Sequence, residues 1–443
     1  VESVLLFVLG VVIILIGVAL SIALHEVGHL VPAKLFGVKV TQYMIGFGKT
    51  LFSFKRGETE YGLKAIPLGG YISMIGMFPP GKEGGRGRNA TTGFMQQMVQ
   101  DARVASSETV AVGEEERTFY RLPVWKRIVI MFGGPFMNLL IGVLLFGVLL
   151  MGFGAPQSST TIASVSQCVL PATSTSQSCS SGDPAGPAAA AGLKPGDSIV
   201  SIDGTKITSW DQSTGIIRTS AGQPLTVVVR RDGQDRTVTV TPITNEVAKT
   251  GANGAVVKDA SGAVETMNVG FVGIGPVTEL VPQPITAVLP AVGAQTAAVA
   301  NVFVHLPQRM VDVWNAAFGS QERDPNGPIS VVGIGRAAGE FTALDGVPVV
   351  DKVYTMIGML ASLNIALFVF NLVPLLPLDG GHIAGALWEG FRRTIAKIFR
   401  RRDPGPVDMA KLMPLTFAVV IVLGGMSVLL MYADIVKPVN LFG

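Results

Sequence analysis

The chain has 443 residues, of which 49% are hydrophobic and only 15% charged, against about 25% charged in a typical soluble domain. With a mean hydropathy of +0.49, this excludes a disordered chain, a coiled coil and an ordinary cytosolic enzyme. A net charge of +3, with no basic run interleaved with aromatics, argues against nucleic acid as a partner.

A membrane helix needs about 20 apolar residues. Four stretches supply them: Ser3 to Leu24, Ile128 to Gly154, Tyr354 to Leu378 and Leu412 to Ala433. The first lacks a basic leader and is too long for a signal-peptide core, so it reads as a retained span. In chain order the expected organisation is a first span (1–30), a loop (31–127), a second span (128–154) and a linker with a folded domain (155–276). An amphipathic connection (277–352), a third span (353–388), a basic loop (389–411) and a fourth span (412–435) follow. Residues 31–127 carry 14 Lys/Arg against 8 Asp/Glu, and 389–411 carry 7 against 3, whereas 154–352 carry 12 against 16. Basic loops stay inside. The expectation is therefore a multi-pass cell-membrane protein with the first and third loops cytoplasmic and both termini outside. Arg400-Arg401-Arg402 reads as an anchor on anionic membrane lipid.

In the first loop, Thr50 to Lys55 and Thr59 to Ile66 flank Arg56-Gly57-Glu58 as a β-hairpin, and Pro79 to Glu116 reads as a Gly-rich polar loop. The second loop opens with a Ser/Thr-rich linker, Ser158 to Ser181. A short helix ending at Gly192 and a strand, Ser198 to Ile202, closed by Asp203-Gly204 come next. Leu225 to Arg230 and Thr237 to Thr241 alternate as strands around Arg231-Asp232-Gly233-Gln234. About Thr160 to Pro276, this stretch resembles a single PDZ domain of the bacterial protease type. Such a domain implies either a peptide ligand held by strand addition or a bulky plug that limits access. Cys168 and Cys179 lie in the same loop, as a local disulfide or as two free thiols. Ile285 to Phe318, with Pro307 inside, reads as amphipathic and lying along the membrane surface.

The chemistry is concentrated at two places. The first span ends in His25-Glu26-Val27-Gly28-His29. On a helix, His25 and His29 share a face at i and i+4, a spacing suited to two tetrahedral zinc ligands, with Glu26 placed to take a proton from water. Ionisable groups in a membrane segment are costly, which favours function over chance. A catalytic zinc needs a third ligand. The third span runs Asn371-Leu372-Val373-Pro374-Leu375-Leu376-Pro377-Leu378-Asp379-Gly380-Gly381-His382. Asp379 follows the helix break that Pro374 and Pro377 impose and is the preferred third ligand; His382 is the alternative. Asn364 and Asn371 are seven apart, so they share a face from which to hydrogen-bond an unwound substrate backbone.

These motifs resemble the site-2 protease family of intramembrane zinc metalloproteases, in its bacterial RseP/Rip type with a single PDZ domain. The family pattern joins H-E-x-x-H in the first span to N-x-x-P-x-x-x-L-D-G in the third, here His25 to His29 and Asn371 to Gly380. Gly46-Phe47-Gly48, followed by Pro67-Leu68-Gly69-Gly70-Tyr71, is similar to the family's membrane-associated β-hairpin, whose edge strand pairs with substrate. Phe119 to Arg127 with Gly133 to Asn138 is similar to the start of its second span, although the glycines also suit tight helix packing. The resemblance implies a polytopic α-helical fold of four spans with a cytoplasmic-side β-hairpin and one extracytoplasmic PDZ-like α+β domain. It implies Zn2+ on His25, His29 and Asp379, Glu26 as the catalytic base, and substrate contacts at Asn371, Asn364, Gly46, Phe47, Gly48 and Pro374. It further implies hydrolysis within pre-cleaved single-span membrane proteins, anti-sigma factors above all. Two other readings are a non-catalytic PDZ scaffold and a metal transporter. Glu26 and Asp379 together argue against the first, and a single broken helix against the second.

Overall fold

A computed structural model of the chain describes residues 2–80, 94–169, 179, 183–249, 257, 264–319, 323–324 and 327–439. The middle of the polar loop expected from Pro79 (81–93) and much of the Ser/Thr-rich linker (170–178 and 180–181) lie outside the described residues. Two compact units are present, one from Val1–Gly152 with Pro284–Gly443 and the other from Phe153–Gln283. In chain order the first unit contributes α1 (Glu2–Leu35), β1 (Val40–Arg56), β2 (Thr59–Met74), α2 (Phe94–Glu108) and α3 (Val124–Gly147), which a π-helical turn (Val148–Phe153) extends. The second contributes β3 (Ala155–Val165), α4 (Pro187–Ala190), β4 (Ser198–Ile202), β5 (Thr205–Lys206), α5 (Trp210–Thr219), β6 (Leu225–Arg231), β7 (Gln234–Val240), β8 (Ile243–Ala248), β9 (Thr266–Phe271) and β10 (Ile274–Val281). The first then resumes with α6 (Val288–Val304), α7 (Leu306–Phe318), α8 (Val331–Ala343), α9 (Val349–Asn371), α10 (Asp379–Ile398) and α11 (Met413–Val436).

Among the described residues, five helical stretches are by length and composition long and apolar enough to cross a membrane: Glu2–Leu35, Val124–Phe153, Ile285–Val304, Val349–Asn371 and Met409–Val436. The stretch from Ile285 to Phe318, expected as one amphipathic segment along the membrane surface, is two helices. The chain breaks at His305 into α6 and α7, with Pro307 in the first turn of α7, where its missing N–H costs nothing. No charged residue occurs in α6, and Val288 and Val292 pack with Ile365 of α9 and Leu139 and Val143 of α3. The third span is also shorter than expected. Helix α9 stops at Asn371, residues 372–378 are irregular around Pro374 and Pro377, and α10 opens at Asp379 and runs into the segment read as a basic loop.

The helix contacts fix relative directions. Gly17 of α1 lies against Leu360 of α9, Ser21 accepts a hydrogen bond from Asn364 Nδ2 at 3.0 Å, and Ile14 and Val18 pack with Met356. Helices α1 and α9 therefore run side by side in the same direction. Helix α3 runs against both: His25 and His29 face Gly134, Pro32 faces Gly133, Gly142 meets Ile365, and Leu149 meets Gly358. The C-terminal ends of α1 and α9 are thus brought to one level of the bundle. Helix α8, capped by Ser330 Oγ on the Gly333 amide, lies along the first half of α1, with Thr342 on Gly10 and Gly339 on Phe7.

Strands β1 and β2 each double back. Tyr43 pairs with Ile72 on one side and Tyr61 on the other, and Ile45 with Gly70 and Leu63, while Arg56 pairs with Thr59 across the hairpin turn. Residues 40–45 are therefore interior, and 70–74 form an edge. Gly46 and Gly48 make the bend in β1 at φ +89° and +84°, which a side chain would oppose. The sheet packs on the end of α1 through Val38, Val40, Tyr43, Met74 and Leu30.

In the second unit the sheet order is β10-β3-β4-β6-β7, with β5 on β4, and β8 pairs separately with β9. Asp232 and Gly233, both at positive φ, make the two-residue turn between β6 and β7. The core gathers Ile162, Ile199, Trp210, Ile217, Val229 and Val272. Cys168 and Cys179 are joined as a disulfide. Buried Asp197 receives two hydrogen bonds from Arg231, at 2.6 and 2.7 Å, and one from the Lys194 amide at 2.9 Å.

Candidate metal centre

His25 and His29 sit one turn apart on α1 and are buried. The helix delivers both imidazoles to one face, because residues four apart are neighbours along its surface. His29 Nδ1 lies 2.7 Å from the Ile130 carbonyl oxygen of α3, and a carbonyl only accepts. The proton is therefore on Nδ1, and Nε2 presents a lone pair. That nitrogen is 3.2 Å from His25 Nε2, and both are 3.3 Å from Asp379 Oδ2. Asp379 reaches this point from the first turn of α10, directly after the break at 372–378.

This triangle of two imidazole nitrogens and a carboxylate oxygen is what a cation requires. Zinc bonded at about 2.0–2.1 Å in tetrahedral geometry sets its ligands about 3.3–3.4 Å apart. The three atoms match that edge, and among the described residues no hydrogen-bond donor serves Asp379 Oδ2. The residues present fit zinc, and they are the group of metal-ligand type that the described residues bring together. Burial of these lone pairs face to face without a cation would be costly.

Two glycines bring α3 this close. A Cβ on Gly134 would stand 2.2 Å from His29 Nε2 and 2.7 Å from His25 Nε2, and one on Gly133 would stand 2.0 Å from the Gly28 carbonyl oxygen. Asn138 is buried further along α3. Glu26 is buried beside the pair. It is approached by the edge strand, since a Cβ on Gly70 would lie 3.0 Å from its Cγ and the backbone amide of Ile72 is directed at its carboxyl. A cavity of about 320 Å³ opens over the triangle, lined also by Glu26, Tyr71, Met74, Asn371, Pro377 and His382.

Of the expected substrate contacts, Asn371 lines this cavity at the end of α9. Asn364 does not. Fully buried, it donates to Ser21 Oγ at 3.0 Å and the Leu360 carbonyl at 2.8 Å and joins two helices. Two turns of helix before Asn371, Asn364 lies deep in the contact of α9 with α1. Pro374 borders a different, apolar cavity with Leu375 and Trp388. Gly46 and Gly48 lie in the bend of β1, and half-exposed Phe47 stacks on Tyr71, a residue of the cavity wall, without itself lining the cavity. His382 lines the cavity with its ring edge-on to Phe119 and is outside the triangle. The sequence gives no sign of the Ile130 carbonyl, and of the edge strand 70–74 it shows only the start, in the Pro67 to Tyr71 stretch that resembles the family hairpin.

Comparison with known proteins shows the family. The model of peptidase family M50 matches residues 13–401. The zinc metalloprotease Rip1 of Mycobacterium tuberculosis is 34% identical over 444 residues, covering 99% of this chain and all of the relative. Rip1 of Mycolicibacterium smegmatis is 35% identical over 451 residues with the same coverage. The metalloprotease MmpA of Caulobacter vibrioides is 29% identical over 403 residues, 87% of this chain and 85% of the relative. On the family match and these full-length relatives, the chain belongs to peptidase family M50, the site-2 proteases.

Proposed function

We propose that this zinc metalloprotease hydrolyses a peptide bond within or near the membrane segment of single-span proteins already clipped outside, with His25, His29 and Asp379 holding the zinc and Glu26 as the base. The observation that carries this is the triangle of two imidazole nitrogens and a carboxylate oxygen 3.2–3.3 Å apart, with a carboxyl beside it and a cavity in front. Zinc bound there supplies Lewis acidity, polarising the scissile carbonyl and easing deprotonation of water. Glu26 takes the proton from the attacking water and returns it to the leaving amide nitrogen, so its charge is restored at the end of the cycle. Burial and the Ile72 amide keep the carboxyl aimed at the cavity. The outward edge of residues 70–74 gives an unwound substrate a strand to pair with, which would hold the scissile bond extended beside Glu26. Asn371, at the end of α9, is placed to hydrogen-bond that backbone.

The basic loops support an active centre toward the cytoplasmic side. The common direction of α1 and α9 agrees, because it requires that α6, α7 and α8 make no net crossing between α3 and α9. The second unit reads as the extracytoplasmic PDZ-like domain, a ligand reader or a filter for substrates with large outer parts. By resemblance, anti-sigma factors are the substrate class we favour, with release of a transcription regulator as the outcome. The test is cleavage of a labelled single-span substrate by detergent-purified protein. Glu26→Gln is expected to keep its zinc and lose cleavage by at least about 10³-fold. A Glu26→Gln protein of normal activity would contradict the assignment.

A further inference from the structure

Helix α10 carries a carboxylate with no part in the chemistry above. Glu389 is completely buried. Its Oε1 lies 2.5 Å from Arg127 Nη2 of α3 and 3.0 Å from Arg393 Nη2, and its Oε2 accepts from the Val407 amide at 2.9 Å. Arg127 is itself buried. A lone buried carboxylate is costly, and this one is met by two guanidinium groups and a backbone donor drawn from three segments.

The location matters more than the pairing. About 15 Å further back along α10 is Asp379, the third corner of the triangle. One turn beyond Arg127 on α3 is Ile130, whose carbonyl orients His29, followed by Gly134, which packs on both imidazoles. The same two helices thus both reach the imidazoles of α1, α3 through Ile130 and Gly134 and α10 through Asp379, and they meet each other at the Arg127–Glu389 contact. The break at 372–378 leaves Asp379 without a continuous helix behind it, so α10 takes its position from α3 rather than from α9.

We propose that Glu389 is a positioning residue for the metal centre: its contact with Arg127 sets the register of α10 on α3 and so holds Asp379 at coordinating distance from His25 and His29, while Arg393, one turn along α10, helps hold the carboxylate. The inference rests on the reading of those three residues as metal ligands. A pair whose only role was stability would lower the unfolding temperature without changing the geometry at the metal.

The test uses the full chain, stripped of metal and titrated with Co2+, whose visible absorption reports ligand number and symmetry. Glu389→Gln keeps the shape and removes the charge. The double variant Arg127→Met with Glu389→Leu replaces the contact by apolar packing. Asp434→Asn, which breaks the equally buried Arg323–Asp434 pair on α11, is the control for general destabilisation. The expected result is wild-type elution volume for Glu389→Gln, with Co2+ affinity lowered at least about tenfold and the tetrahedral spectrum altered, while Asp434→Asn binds and absorbs as wild type. Wild-type Co2+ spectra and affinity in both Glu389 variants would overturn the proposal. So would an equal change in Asp434→Asn, or metal lost only together with the fold in both Glu389 variants. Failure of wild type itself to bind Co2+ would overturn the ligand assignment as well, which separates the two failures.

Discussion

A Cβ on Gly134 would stand 2.2 Å from His29 Nε2 and 2.7 Å from His25 Nε2, so α3 touches the two imidazoles with its backbone. No real side chain tolerates that distance. Gly134→Ala must therefore displace His29, His25 or α3. The expected outcome is loss of bound zinc and at least about a hundredfold loss of cleavage, with helical content retained. Gly147→Ala is the matched control, because nothing lies within 4 Å of a Cβ there. Zinc analysis and circular dichroism on both proteins check this.

Gly70 constrains Glu26 instead of the three-atom triangle. A Cβ there would lie 3.0 Å from Glu26 Cγ, 3.1 Å from Ile22 Cγ2 and 3.2 Å from the Met44 carbonyl oxygen. Gly70→Ala is expected to retain zinc and to lower kcat about tenfold by shifting the carboxyl, with a smaller effect on KM. Zinc lost in step with kcat would mean that the strand supports the ligands and not Glu26.

The two third-span asparagines are expected to behave differently. Asn364→Ala removes the hydrogen bond to Ser21 between α1 and α9, so it should lower thermal stability and leave KM unchanged. Asn371→Ala changes the cavity wall, so it should reduce kcat/KM about tenfold or more with stability unchanged. A KM effect from Asn364 would return it to the substrate path.

Much of the site was legible because its signals are local. His25-Glu26-Val27-Gly28-His29 needs only helical periodicity to put two imidazoles on one face, and Pro374 with Pro377 announces the helix break before Asp379. The Asp232-Gly233 turn was legible for the same reason: its residues carry the conformational preference themselves. What was not legible depends on depth and partnership. Asn364 and Asn371 occupy similar angular positions, and only the packing of α9 on α1 decides that one is glued to Ser21 while the other meets the cavity. The break at His305 was hidden because Pro307 reads equally as a kink or as a helix start. The role of Glu389 is invisible without Arg127, which lies in another span.

In the second unit, the hydrogen bonds from Arg231 hold the Asp197 carboxyl below its ordinary range; burial acts in the opposite direction, and the Lys194 amide adds to the lowering. A carboxyl whose native value lies below its unfolded one gives up its proton on folding, so the unfolded state binds more protons and stability rises with pH across that window. The contribution is fully present above the unfolded value near 4 and is lost as pH falls through the native value. Protection factors across Ser198–Ile202 in the full chain, which correct for the intrinsic pH dependence of exchange, should fall on acidification through this window. In Asp197→Asn they should already be low at neutral pH, by about 3 kcal/mol of opening free energy, with much less pH dependence. Identical profiles in both proteins would contradict this.

The central claim is the ligand set, and zinc content by elemental analysis tests it most directly. About one zinc per wild-type chain is expected, retained in His382→Ala and lost in His25→Ala and Asp379→Ala. Zinc retained without Asp379 and lost without His382 would contradict the account and move the third ligand one turn along α10.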